Sequence, residues 1–197
     1  MRLVLASGSP RRKEVLEALR LDFEVRPADV DETRLPGEAP AAYVERVARA
    51  KAEAVAGKEL IVIAADTTVV HEGKVLGKPG HPEEARAMLR RLQGDVHEVF
   101  TGVAVGSWDG GARIRALVDV TEVEFLSMTD EEIADYVDTG EPMDKAGAYA
   151  LQGFGGTFVK RVDGSPFTVI GLPIHLLSRL IAASGAEMSA FRTGVGG

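Results

Sequence analysis

The stretch LIVIAADTTVV, residues 60 to 70, constrains the fold more than any other part of this chain. Its first half is an almost unbroken apolar run, too short to span a bilayer. It is therefore predicted to be a strand covered on both faces, near the middle of a sheet. The run turns polar at Asp66 and Thr67. A carboxylate at the carboxyl end of a buried strand is held rigidly beside open space, which suits a metal ligand or a general base. Taken alone, such a residue is more often an aspartate that begins a turn.

The segments on either side supply covering layers. Residues 2 to 6 read as a short buried strand broken by SGSP, and Ser9 and Pro10 are suited to cap and start a helix running to Arg20, with Val15, Leu16 and Leu19 on its inner face. DFEVRPA (22 to 28) reads as a strand, and the acidic DVDETRLPGEAP as a loop. A helix is predicted from Pro40 to Ala56, stopped by Gly57, with Lys51 near its middle. After the central strand, HEG turns into a hairpin with KVL, and a helix opens at Pro82 and stops at Gly94. Two long strands, 96 to 106 and 112 to 125, are joined across SWDGG. TDEE (129 to 132) is a capping box opening a helix to Val137. GAYAL, TFVKRV and FTVIGL read as the last strands, Pro173 opens a closing helix to Ala183, and the tail from Gly185 is expected to fray. This order of elements implies a mixed α/β (α+β) architecture on an extended sheet.

Composition narrows the chemistry. The chain has no cysteine, which excludes disulfides, thiolate metal sites and a cysteine nucleophile. Its net charge of -7 argues against a general duplex-binding protein, which needs a basic stripe, and leaves room for a small polyanion in a local basic pocket. With no long apolar run and no signal-like start, no membrane association is expected and the cytoplasm is the default compartment. The absence of asparagine fits either a thermophilic source or a GC-rich genome.

Against that acidic background, LASGSPRR stands out. A strand-turn-helix junction points backbone N–H groups outward, and here two hydroxyls and the guanidiniums of Arg11 and Arg12 join them, a set that matches phosphate oxygens. A capped helix with solvated arginines explains the same residues equally well. Lys78 lies in the glycine- and proline-fixed loop LGKPG, and Glu32, in the acidic loop, is a second oxygen donor that could join Asp66 around a hard divalent cation. EPMDKAGAYALQGFGG embeds Asp144, Lys145 and Gln152 among small residues that allow close backbone approach.

In their order and spacing, LASGSPRRKEVL, YVERVARAKAEAV, AADTTVV, GKVLGKP, TGVAV, EPMDKAGAYALQGFGG and GSPFTVIGLP resemble the Maf family of nucleoside triphosphate pyrophosphatases. The resemblance implies a fold similar to the inosine triphosphate pyrophosphatases: an elongated, twisted mixed sheet with helices forming two lobes around a cleft. It further implies a single catalytic domain over residues 1–184, followed by a tail over 185–197. The implied reaction is hydrolysis between the α and β phosphates, giving a monophosphate and pyrophosphate with Mg²⁺ or Mn²⁺. The family's essential carboxylate falls on Asp66 and its phosphate loop on Ser7, Ser9, Arg11 and Arg12. Its other charged residues fall on Glu32, Lys51, Lys78, Asp144 and Lys145, and the oxygen donors Glu32 and Asp66 are the residues expected here to hold the metal. Arg11, Thr67 and Gln152 look like the branch acting on dTTP and UTP, and modified pyrimidine triphosphates would fit the same contacts. The 7-methyl-GTP branch tends to have other residues at these places. A homodimer is also implied. Thr168 stands where the family often has asparagine. A nucleotide-binding regulator of septum formation is the alternative from a different class.

Overall fold

The computed structural model describes residues 1–107 and 113–193. They form a seven-stranded mixed sheet with six α-helices, and the contacts group into two compact units. The strands are β1 (Arg2–Leu5), β2 (Glu24–Val25), β3 (Leu60–His71), β4 (Lys74–Leu76), β5 (Val96–Ser107), β6 (Arg113–Phe125) and β7 (Val159–Asp163). They lie in the order β2-β1-β3-β5-β6-β7, with β4 paired to β3. The helices are α1 (Pro10–Ala18), α2 (Pro40–Ala54), α3 (Pro82–Leu92), α4 (Asp130–Asp138), α5 (Pro166–Ile170) and α6 (Ile174–Ala183). The mixed α/β class expected from the sequence is the class observed. No helix among the described residues is long and apolar enough to cross a membrane.

The first unit comprises Met1–Asp66, Thr101–Asp119 and the chain from Gly171. Here β1 pairs in parallel with both β2 and β3, with Leu5 opposite Ile63. Val4, Ala6, Val62, Ala64 and Ala104 pack with Ala48 and Ala52 of α2. Small side chains dominate this layer because the helix lies close to the sheet. A Cβ on Gly102 would stand 2.5 Å from the Val44 carbonyl oxygen, so only glycine fits there. The predicted strand over 22–28 is reduced to Glu24–Val25, since β1 offers partners only at Val4 and Leu5. The segment expected to fray from Gly185 instead forms a 3₁₀ turn at Met188–Phe191. Phe191 is buried, its carbonyl accepts the Asp22 N–H at 2.6 Å, and Leu21 bridges to Arg192.

The second unit comprises Thr67–Phe100 and Val120–Ile170. The β3–β4 hairpin turns through Glu72 and Gly73, both with positive φ, the geometry of a two-residue turn that matches strand twist. In the capping box opening α4, Thr129 Oγ1 accepts the Glu132 N–H at 3.2 Å and the Glu132 carboxylate accepts the Thr129 N–H at 2.7 Å. Two predicted strands are corrected. GAYAL is a 3₁₀ turn (Ala146–Ala148) followed by irregular chain, because Gly147 and Ala148 adopt left-handed backbone angles that no strand tolerates. The FTVI of FTVIGL lies in α5: Pro166 favours a helix start, and its β-branched run pointed to a strand only while tertiary burial was unknown. The turn predicted at SWDGG lies outside the described residues.

The core of the second unit holds one titratable group that couples stability to pH. His97 is 1% exposed, its Nε2 lies 2.9 Å from the Tyr149 hydroxyl, and Phe125 and Tyr149 meet its ring edge-on. Burial, aided by the nearby His71 and opposed by Asp95, pushes the imidazole down to about 4. The unfolded chain therefore binds this proton at a higher pH than the folded one. The resulting stabilisation is full above about 6.5 and is lost as pH falls toward 4, by about 3 kcal/mol in all. Urea unfolding at pH 7.5 and pH 5 is expected to show a larger loss for wild type than for His97→Gln. Parallel pH dependences would remove His97 as the cause.

Candidate active site

Residue by residue, the first unit assembles a charged cluster where β1 ends and beside Asp66, which lies within β3 and not at the carboxyl end expected from the sequence, because TTVVH continues the strand into its pairing with β4. The Ala6 N–H donates to the Ile63 carbonyl at 2.7 Å, and the chain then leaves the sheet through Ser7, Gly8 and Ser9. Ser9 occupies the N-cap position of α1, but its side chain makes no capping bond. The hydroxyl that organises the turn is that of Ser7, which accepts the Ser9 N–H at 3.2 Å and Arg12 Nη1 at 3.0 Å.

Arg12 and Arg11 differ in environment. Arg12 shares the inner face of α1 with Val15 and Leu16 and is 9% exposed, and its Nε donates to the Gly171 carbonyl at 2.8 Å. Burial lowers the Arg12 guanidinium from its ordinary value, opposed by the negative charges of Asp66 and Glu32 and reinforced by Arg11. It is a buried cation, because arginine keeps its proton in proteins. Arg11 is half-buried.

Asp66, 6% exposed on β3, receives Lys51 Nζ at 2.8 Å. Lys51 comes from the last turn of α2, not its middle, and is itself 7% exposed. The same ammonium lies 2.9 Å from Glu32 Oε1, so one buried cation joins the two carboxylates. The Glu32 loop is held to α2 by side chains one turn apart. The Tyr43 hydroxyl donates to the Glu32 carbonyl at 3.0 Å, and Arg46 donates to the Thr33 carbonyl at 3.0 Å and to Glu38 at 2.7 Å. The sequence reading missed Tyr43 and Arg46 as supports, although their i, i+3 spacing in YVERV placed both on one helix face. With Arg11 and Arg12, the cluster sets three cations against two acids inside a chain of net charge -7.

Whether these residues suit a divalent metal can be judged from their donors. Glu32 and Asp66 supply hard oxygens that already converge on a single cationic atom. No group of three or more acidic, histidine or cysteine side chains able to hold a metal occurs among the described residues. Two carboxylates with the remaining positions left to water and substrate phosphates is the pattern magnesium favours, so the donor set fits.

The other predicted residues belong to the second unit. Thr67 follows Asp66 on β3 and is half-buried. Lys78 is exposed, in a loop held where the Gly147 N–H donates to the Gly77 carbonyl at 3.1 Å. Lys145 Nζ lies 2.6 Å from Asp144 Oδ1 and donates to the Glu141 carbonyl at 2.6 Å. Gln152 is exposed, and Thr168 is fully buried in α5, so the position where asparagine was expected is interior.

Known proteins resemble this chain in sequence and in fold. The chain is 55% identical to a dTTP/UTP pyrophosphatase of Anaeromyxobacter dehalogenans, over 93% of this chain and 94% of that protein. It is 48% identical to a dTTP/UTP pyrophosphatase of Hahella chejuensis, over 88% and 87%. Among solved structures, the Staphylococcus aureus Ham1 protein is similar at 14% identity and a TM-score of 0.48, covering 93% of this chain and 100% of that one. The family description "Maf-like protein" matches residues 2–184, and with those identities the chain belongs to the Maf family.

Proposed function

We propose that this protein is a nucleoside triphosphate pyrophosphatase acting on dTTP and UTP, the activity named for its relatives at 46 to 55% identity. The observation that carries the chemistry is the Lys51 bridge between Asp66 and Glu32, in the same unit as the Ser7–Arg12 turn. Asp66 orients or deprotonates the water that attacks the α-phosphorus. The bond from that phosphorus to the bridging oxygen breaks, pyrophosphate leaves, and the water's proton passes to the carboxylate. Lys51 and the guanidiniums of Arg11 and Arg12, with the hydroxyls of Ser7 and Ser9, offset charge on the phosphates. Glu32 and Asp66 would hold Mg²⁺ or Mn²⁺, which when bound polarises the phosphoryl oxygens.

The remaining roles rest on the family resemblance. Lys78 and Lys145 act on the phosphates, while Thr67 and Gln152, a hydroxyl and an amide, read the pyrimidine edge together with Arg11. A cytoplasmic homodimer belongs to the same reading. Pyrophosphate release from a panel of dTTP, UTP, CTP, ATP, GTP and 7-methyl-GTP, with and without Mg²⁺, tests it. The expected result is turnover of dTTP and UTP above the others by at least about tenfold, dependent on the metal. Nucleotide binding without release from any substrate would instead favour a regulator.

A further inference from the structure

The second unit contains a half-buried acceptor, the first residue of EPMDKAGAYALQGFGG, to which neither the motif nor the resemblance gave a role. Glu141 opens the 3₁₀ turn Glu141–Asp144, and its carboxylate gathers three donors. The Tyr136 hydroxyl reaches Oε1 at 2.8 Å, the Gly155 N–H reaches Oε1 at 3.0 Å, and the Phe154 N–H reaches Oε2 at 3.0 Å. The Tyr136 hydroxyl also accepts the Ala150 N–H at 3.2 Å. The backbone is thus tied on both sides of Gln152. The Glu141 carbonyl meanwhile accepts Lys145 Nζ at 2.6 Å.

The glycines in this segment confirm how closely it is held. A Cβ on Gly153 would stand 2.4 Å from Glu141 Oε2, and one on Gly155 would stand 2.4 Å from the Tyr136 hydroxyl. Neither position admits a side chain while the carboxylate and the phenol lie against the backbone. An ionised carboxylate is acceptor-only, so it can serve all three donors. A glutamine there would turn its NH₂ toward one of them. Partial burial works against ionisation, but the hydrogen bonds from Gly155, Tyr136 and Phe154 prevail and hold the carboxyl below its usual range.

We propose that Glu141 is a positioning residue for base selection, its carboxylate fixing the segment that carries Gln152 and its carbonyl fixing Lys145. This inference rests on the pyrophosphatase reading above. Gln152 and Lys145 then meet the base edge and a phosphate in preset places, without ordering a loop at each encounter.

The test compares kcat/KM for dTTP and GTP in wild type and Glu141→Gln, together with amide hydrogen exchange at Phe154 and Gly155. The variant is expected to lower kcat/KM for dTTP by between about 10- and 100-fold while changing that for GTP by less than about threefold, and to speed exchange at both amides. Tyr136→Phe, which removes one donor and leaves the carboxylate, should move the same ratio by a smaller factor. If Glu141→Gln does not fold, Gly153→Ala strikes the same contact from the other side and must narrow the ratio. An unchanged dTTP-to-GTP ratio with faster amide exchange would make Glu141 structural only and overturn the proposal. Absence of pyrophosphate release by wild type would instead sink the reading beneath it. Selectivity is then read from dTTP and GTP Kd values, where the same narrowing is required.

Discussion

Asp66→Asn is expected to lower pyrophosphate release from dTTP by about 10³-fold while leaving dTTP binding within about threefold of wild type. The asymmetry follows from where the residue sits. Asp66 is almost fully buried on a central strand, and its Oδ1 accepts a hydrogen bond from the Lys51 ammonium. An asparagine oxygen can still accept that bond, so Lys51 stays between position 66 and Glu32 and the cluster keeps its shape. What the amide cannot do is take a proton from water or contribute a full negative charge to a metal. The fold should therefore survive, with a Tm lowered by only a few degrees, because the ammonium retains Glu32 as a charged partner. Single-turnover release, together with dTTP Kd by calorimetry, separates the two effects. Loss of binding as large as the loss of rate would place Asp66 in substrate capture, and near wild-type release would remove it from the chemistry.

Much of this site could be read from the chain because its anchors are local. The apolar run before Asp66 fixes β3, SGSP ends β1, and Pro10 starts α1, each through a backbone preference acting over a few residues. The capping box at Thr129 and the Glu72–Gly73 turn are legible for the same reason. What could not be read depends on tertiary placement. The family resemblance alone marks Lys51 as a site residue, and its burial beside Asp66 depends on the packing of α2 against β3. FTVIGL has the composition of a strand, and only its place after Ser165 and Pro166, with Thr168 turned fully inward, makes its FTVI helical. Glu141 received no reading of its own within EPMDKAGAYALQGFGG, because its donors are a phenol and two amides, groups that leave no pattern in a sequence. Arg12 is an intermediate case. Its spacing to Val15 and Leu16 is that of the buried face, a relation the sequence reading left unused when it weighed a phosphate-binding pair against solvated arginines.

That distinction between the two arginines predicts opposite signatures for two otherwise similar variants. Arg12→Met is expected to destabilise the protein by about 3 kcal/mol, or roughly 6 to 12 °C in Tm, and also to lower kcat/KM for dTTP by more than about 10²-fold. The Gly171 carbonyl and the Ser7 hydroxyl each lose a donor held at 2.8 and 3.0 Å, and Asp66 and Glu32 lose a buried countercharge. Methionine fills much of the volume, so the loss reflects the missing bonds more than a cavity. Arg12→Lys should recover part of the stability through its charge. It should recover little activity, because a single ammonium cannot keep the planar, two-armed contact that joins the turn after β1 to residue 171. Arg11→Met, at a half-buried position, should leave Tm within a few degrees and reduce kcat/KM chiefly through KM. Thermal melts and steady-state kinetics on the three variants decide the matter. Equal Tm values for Arg11→Met and Arg12→Met would mean that the buried guanidinium contributes nothing to the fold, and the division of labour between the pair would have to be abandoned.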